Sequence, residues 1–163
     1  MEAQPSSQIV IQARLEQLRD LEHWVERLAV QFLLPAVLVH RIDLCLTELV
    51  ANVISYGYPD GRIGDIRIRF WRQPGQVVIG IDDDGIAFDP TSHEPPGLPS
   101  ALADAPAGGR GIRLVRHFSD QQQYLAAAPG NQLRLLFRAA EVGAQSSAPA
   151  AAPDAASGNR LDR

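Results

Sequence analysis

The stretch ELVANVISYGYPDG, residues 48–61, decides how the chain is read. Its apolar residues Leu49, Val50 and Val53 continue an inward stripe begun by Val39, Ile42 and Leu46. That spacing predicts a helix over 36–56. The Pro, Asp and Gly of YPDGRIGD then turn the chain into a loop. On the helix, Glu48 and Asn52 stand four residues apart and so share a face at the flank of the stripe. A carboxylate beside a reacting hydroxyl can take its proton, and an amide oxygen is a neutral, hard ligand suited to Mg²⁺. Taken alone, the pair reads more readily as the solvated edge of an amphipathic helix.

Working outward, QIVIQA (8–13) predicts an opening strand. Leu15, Leu18, Leu21, Val25, Leu28 and Phe32 predict a helix over 14–32, and Pro35 breaks the chain ahead of the next. DIRIRFWR (65–72) alternates, with Ile66, Ile68 and Phe70 on one face and arginines on the other. The turn QPGQ joins it to VVIGID as a hairpin. Residues 91–109 are rich in Pro, Gly and Ala without periodicity, and a loop of that length in a compact domain is functional or mobile. GIRLVRHFSD predicts a helix entered through glycines, and QQYLAAAPGNQLRLLFR a closing hairpin around PGN.

The order β-α-α-β-β-(long loop)-α-β-β predicts an α/β (α+β) two-layer sandwich, a mostly antiparallel mixed sheet with helices on one face. Residues 1–7 are expected to be a flexible N-terminus and 8–139 the folded domain. The Ala/Pro/Ser-rich 140–163 has too few large apolar residues to fold.

Two further stretches carry chemistry. IDDDGIAFDP (81–90) follows a strand. Asp83 ends the alternation Val77, Ile79, Ile81, so its carboxylate points into the layer between sheet and helices, where it needs a donor. Gly85 lets the backbone come close to a ligand. An EF-hand is excluded, because the acid required five residues before the glycine is Gly80. GGRGIRLVRHF (108–118) opens a helix with glycines, whose free N–H groups make a phosphate seat. Arg110 and Arg113 add charge there.

Composition narrows the classes. The chain has 163 residues, 45% hydrophobic and 21% charged, as in a globular protein. Its net charge of −4 argues against a broad basic surface for nucleic acid. All 15 basic residues are arginine. A chain without lysine can hold neither a P-loop nor the catalytic lysine of eukaryotic-type kinases, and it forms no Schiff base. Phosphate must therefore be met by backbone N–H groups, arginine or a metal. The single cysteine, Cys45, sits among apolar residues and reads as a buried thiol. His23, His40, His93 and His117 show no ligand spacing. The N-terminus lacks a signal pattern and the longest apolar run is too short to span a bilayer, so a cytoplasmic protein is expected, with no membrane partner.

The set Glu48-x-x-x-Asn52, Asp83-x-Gly85 and Gly109-x-Gly111 resembles the GHKL ATPases, which share the Bergerat ATP-binding fold. It is most similar to the stand-alone bacterial anti-sigma-factor serine/threonine kinases, over residues 8–138. The resemblance implies ATP and Mg²⁺ as ligands. Asn52 would bind the Mg²⁺ and Asp83 would accept from the adenine amino group. Gly85 and Ala87 would form the first glycine box. Gly108, Gly109, Arg110, Gly111 and Ile112 would wrap the phosphates. Glu48 would polarise the incoming serine or threonine hydroxyl. Two positions depart from the family. Ala87 stands where a second glycine is expected, and the small hydroxyl residue expected near adenine on the final strand falls at Arg134.

The implied function is phosphorylation of a STAS-domain anti-sigma antagonist, with a sigma factor as a second partner open and a homodimer also open. The alternative is a nucleotide-dependent protein-binding switch without phosphotransfer. A helix-turn-helix reading of GIRLVRHFSDQQQYLAA is disfavoured by its glycines and the acidic total charge, so no direct nucleic-acid partner is expected.

Overall fold

The computed structural model describes residues 4–92, 109–126 and 130–139. The long loop expected over 91–109 lies almost wholly outside these residues, as do Gly108 and the tail from 140. The elements run β1 (Ser7–Gln12), a 3₁₀ turn (Leu15–Gln17), α1 (Leu18–Gln31), α2 (Ala36–Tyr56), β2 (Asp65–Gln73), β3 (Gln76–Asp83), α3 (Gly109–Phe118), β4 (Gln121–Ala126) and β5 (Asn131–Arg138). The strands form one sheet in the order β1-β2-β3-β5-β4. Among the described residues every pairing is antiparallel. The sheet is therefore not mixed: each strand returns beside a neighbour running the other way.

Register explains the core. Ile11 faces Ile66, and Ile9 faces Ile68. Ile68 pairs with Ile81 and Phe70 with Ile79. Ile81 then pairs with Leu133, Ile79 with Leu135 and Val77 with Phe137. Side chains alternate across a strand, so these rows all point to one face, and the helices cover it. α2 packs against both α1 and α3. It contributes Leu38, Ile42, Cys45, Leu46, Leu49 and Val50 as buried residues. Burial pushes the Cys45 thiol up to about 12, which keeps it protonated and unreactive, as its apolar neighbours suggest.

The phase of α1 differs from expectation at its start. Leu15 is exposed, because it sits in the 3₁₀ turn and the α-helical period begins only at Leu18. The buried stripe is Leu21, Trp24, Val25 and Leu28, and the Trp24 indole N–H donates to Ser7 Oγ at 3.2 Å. The opening strand begins at Ser7, and the Ser6 N–H already donates to the Phe70 carbonyl at 2.8 Å. Trp71 lies on the far face of the sheet. A Cβ on Gly80 would come within 2.9 Å of its ring, so the glycine makes room for it. The Arg69 and Arg134 guanidinium groups stand 5.2 and 4.9 Å from the ring centre.

Arg41 joins the helical layer to the sheet's closing strand. Its Nε donates to the Phe118 carbonyl at 2.8 Å, at the end of α3, and its Nη2 to Asp120 at 2.7 Å. Asp120 also accepts the Arg138 N–H at 2.8 Å. Partial burial pushes the Asp120 carboxyl up, but these donors outweigh it and hold the group below its usual range. Removing a charged hydrogen-bond donor costs about 1.5–3 kcal/mol. Arg41→Ala is expected to lower unfolding free energy by about that amount in urea melts. A melt unchanged from the parent would rule out the anchoring role.

Candidate functional site

The site is built where three elements end together: the last turns of α2, the turn after β3 and the first turn of α3. α2 stops at Gly57, whose N–H bonds the Val53 carbonyl at 2.8 Å. The Gly57 carbonyl in turn accepts the Ile86 N–H at 2.9 Å, tying the helix end to the glycine-bearing turn. The approach is close, since a Cβ on Gly85 would stand 2.7 Å from the Gly57 oxygen and 2.9 Å from Asp83 Oδ1. Gly85 is therefore held to glycine by packing.

A second tie lies alongside. Tyr58 is buried, and its hydroxyl donates to Asp84 at 3.0 Å. Arg62 pairs with the other Asp84 oxygen at 2.8 Å, donates to the Asp84 carbonyl, and lies 4.7 Å from the centre of the Tyr58 ring. The Arg62 hydrogen bond holds the Asp84 carboxyl below its usual range, while burial and the bond to Asp84 push the Tyr58 phenol up.

α3 enters on the other side. Gly111 is buried, and a Cβ there would stand 2.6 Å from Glu48 Oε2 and 3.5 Å from Asn52 Nδ2. The glycine-opened helix thus meets the two polar side chains of α2 directly. Glu48 and Asn52 are both half-buried. Ile112 is buried beside Gly111. Gly109 is the first residue of α3, and Arg110 follows it in the helix backbone. Ala87 is exposed in the turn after β3. Of the sequence candidates, the structure brings Glu48, Asn52 and Gly111 into one cluster, and Asp83 with Gly85 into another. The second is linked to the end of α2 through Gly57. Gly108 lies outside the described residues.

Asp83 is buried at the end of β3, between Ile66 and Asn131 in the inward-facing row. Its Oδ1 accepts the Gly85 N–H at 2.9 Å and Asn131 Nδ2 at 2.9 Å. Burial pushes this carboxyl up, and the two hydrogen bonds only partly pull it back. Asn131 is the residue that sequence reading missed. The position expected near the base was placed at Arg134, but Arg134 pairs with Gly80 and lies over Trp71 on the far face. Strand parity held the signal: Leu133, Leu135 and Phe137 face inward, so Asn131 must too.

The end of α2 thus carries a carboxylate and an amide against the first turn of α3, and a buried carboxylate stands in the neighbouring turn. Among the described residues no group of three His, Cys, Asp or Glu side chains could hold a metal ion. A Mg²⁺ here would therefore be carried by phosphates and water, with the Asn52 amide as protein ligand. That donor set suits an ion which keeps most of its waters. Gly111 lets the α3 backbone approach the Glu48 carboxylate and the Asn52 amide closely, and the hard oxygen donors of these side chains fit such an ion.

Comparison with known proteins identifies the family. Residues 11–137 match the family model of the histidine kinase-like ATPase domain. The chain belongs to that family. The GHKL expectation is met over nearly the whole stretch that suggested it. The chain is 32% identical over 121 residues to the serine/threonine-protein kinase BtrW of Bordetella bronchiseptica, covering 74% of this chain and 85% of the relative. Among solved structures, it superposes with a TM-score of 0.58 on the crystal structure of the RsbU and RsbW domains of Rv1364c from Mycobacterium tuberculosis. The identity is 16%, over 83% of this chain and a third (33%) of that one, so this likeness bears on fold alone. Among the described residues no helix is long and apolar enough to cross a membrane.

Gly111→Ala tests the junction of α2 and α3. The added methyl must push Glu48 aside, so nucleotide binding or turnover should fall by about tenfold, with melting temperature changed by a few degrees at most. Full activity in the alanine variant would show that the two helices do not form one site.

Proposed function

We propose that this chain is an ATP-dependent serine/threonine protein kinase of the anti-sigma-factor type. The observation that carries the reading is the contact of Gly111 with both Glu48 and Asn52. It brings the first turn of a helix, a carboxylate and an amide side chain to one point, which supports phosphate binding beside a base and a metal ligand. Family membership and the similarity to a relative named as a serine/threonine-protein kinase support it.

In the proposed reaction the adenine amino group donates to Asp83. The N–H groups at the start of α3 hold the phosphates. Asn52 holds Mg²⁺, which when bound offsets the charge of the phosphates. Glu48 accepts the proton of a serine or threonine hydroxyl as its oxygen bonds the γ-phosphorus. The bond from that phosphorus to the bridging oxygen breaks, and ADP leaves. The proposed acceptor is a STAS-domain anti-sigma antagonist, and a sigma factor is the proposed second partner. Absence of lysine is consistent with this chemistry, since helix N–H groups, the metal and arginine supply the positive charge.

General-base assistance is worth about 10²–10⁴ in rate. Glu48→Gln should keep ATP affinity and lose labelled-phosphate transfer to the co-purified STAS protein by that factor. Binding by the parent without any transfer would leave a nucleotide-dependent switch in place of a kinase. Asp83→Asn should weaken ATP by about tenfold or more, since a charge-assisted hydrogen bond is lost. The pH dependence has a definite sign. Asp83 titrates above the ordinary aspartate value, near 3.9, and the ligand needs it ionised. ATP affinity should therefore rise with pH through that raised value and then level off. Calorimetry showing tighter binding in acid would contradict the assignment.

A further inference from the structure

Asn131 uses every hydrogen-bonding capacity it has. Its Nδ2 donates to Asp83 Oδ1 at 2.9 Å and to the Ile86 carbonyl at 2.9 Å. Its Oδ1 accepts the Phe88 N–H at 2.9 Å and the Tyr124 hydroxyl at 2.7 Å. An amide has two N–H donors and two oxygen lone pairs, so none is left for a ligand. Nor can the amide turn over, because a backbone N–H only donates and a backbone carbonyl only accepts. Through this one side chain β3, the turn after it, β4 and β5 are joined.

The effect on Asp83 is specific. Oδ1 already accepts from Gly85 and Asn131. Oδ2 makes no hydrogen bond to the described residues, so the carboxylate presents a single open oxygen. We propose that Asn131, held by Tyr124, is a positioning residue that fixes base selectivity by leaving Asp83 one acceptor in one orientation. This rests on the reading of Asp83 as the base-binding group. An exocyclic amine satisfies that oxygen, whereas a ring oxo group would face it acceptor to acceptor. A purine with an oxo group at position 6 is then rejected because a buried acceptor stays unpaired.

Two variants test this on the full chain, each titrated calorimetrically with Mg-ATP and Mg-ITP, which carries oxo in place of amine. Tyr124→Phe removes one of the two donors that hold the amide oxygen. The ATP-over-ITP preference should fall several-fold while the melting curve stays close to the parent's. Asn131→Asp places a second carboxyl within hydrogen-bond distance of Asp83, and the pair must share a proton. The other titratable groups near Asp83 are Asp82 and Asp84 beside it, Tyr58 after α2 and Tyr124 on β4. ATP affinity in Asn131→Asp should fall as pH rises between about 5 and 8, opposite in sign to the parent. A role in folding alone would lower the melting temperature without reversing that slope.

If the parent binds ATP selectively and Tyr124→Phe keeps the full ATP-over-ITP preference, the inference is overturned and the kinase reading stands. This arm decides the matter even where Asn131→Asp does not fold. A parent-like pH slope in a folded Asn131→Asp overturns it equally. A parent that binds no ATP overturns the kinase reading itself.

Discussion

A carboxyl group buried at the end of an apolar row is the constraint around which this end of the molecule is organised. Asp83 continues the inward file of Val77, Ile79 and Ile81, so strand alternation drives its side chain beneath the helices. There it must be met by donors or remain protonated. The Gly85 N–H and the Asn131 amide meet one oxygen. Both donors depend on tight backbone. The turn can fold back on Asp83 because Gly85 packs against Gly57. β5 can begin opposite Asp83 because Gly130 takes a φ of +111° and a Cβ there would run into the Asp83 carbonyl. Two glycines and one amide thus accommodate a group that the core would otherwise exclude.

The same constraint separates what was legible in the sequence from what was not. Periodicity revealed both long helices, the β2–β3 hairpin and the closing hairpin, because each buries one face and repeats its apolar residues accordingly. The clustering of Glu48, Asn52 and Gly111 was legible as a spacing of motifs, without the contact itself. Phase at the ends of elements was not. Leu15 matches the α1 period but precedes the helix, and Trp24 fills the stripe in its place. Trp71 was unreadable because the far face of the sheet has its own packing, built from arginines and a glycine rather than an apolar file.

Asn131 was missed for a different reason. Which residue of the last strand faces Asp83 depends on the pairing register, and a shift of one residue sends every side chain to the other face. The family pattern pointed to Arg134, and the pairing register points to Asn131. The residues that decide the chemistry of a buried carboxylate can thus lie nearly fifty positions away, on a strand whose sequence looks like ordinary alternation.

The meeting of α3 with α2 follows from a simple match of lengths. Arg41, Cys45, Glu48 and Asn52 recur at intervals of four, three and four residues, and so form one stripe along α2. Arg41 holds the end of α3 at the Phe118 carbonyl. Glu48 and Asn52 meet its beginning at Gly111. From Arg41 to Glu48 is seven residues, and from Gly111 to Phe118 is also seven. At about 1.5 Å per residue both spans are close to 10 Å. The two helices therefore run in opposite directions with their contacts in step. Cys45 and Val115, both buried, fall near the middle of these spans. Small side chains at Cys45 and Gly111 let α3 lie close, and the guanidinium at the far end fixes its position along α2. The placing of the first turn of α3 over Glu48 and Asn52 is thus set in part by an arginine two turns away.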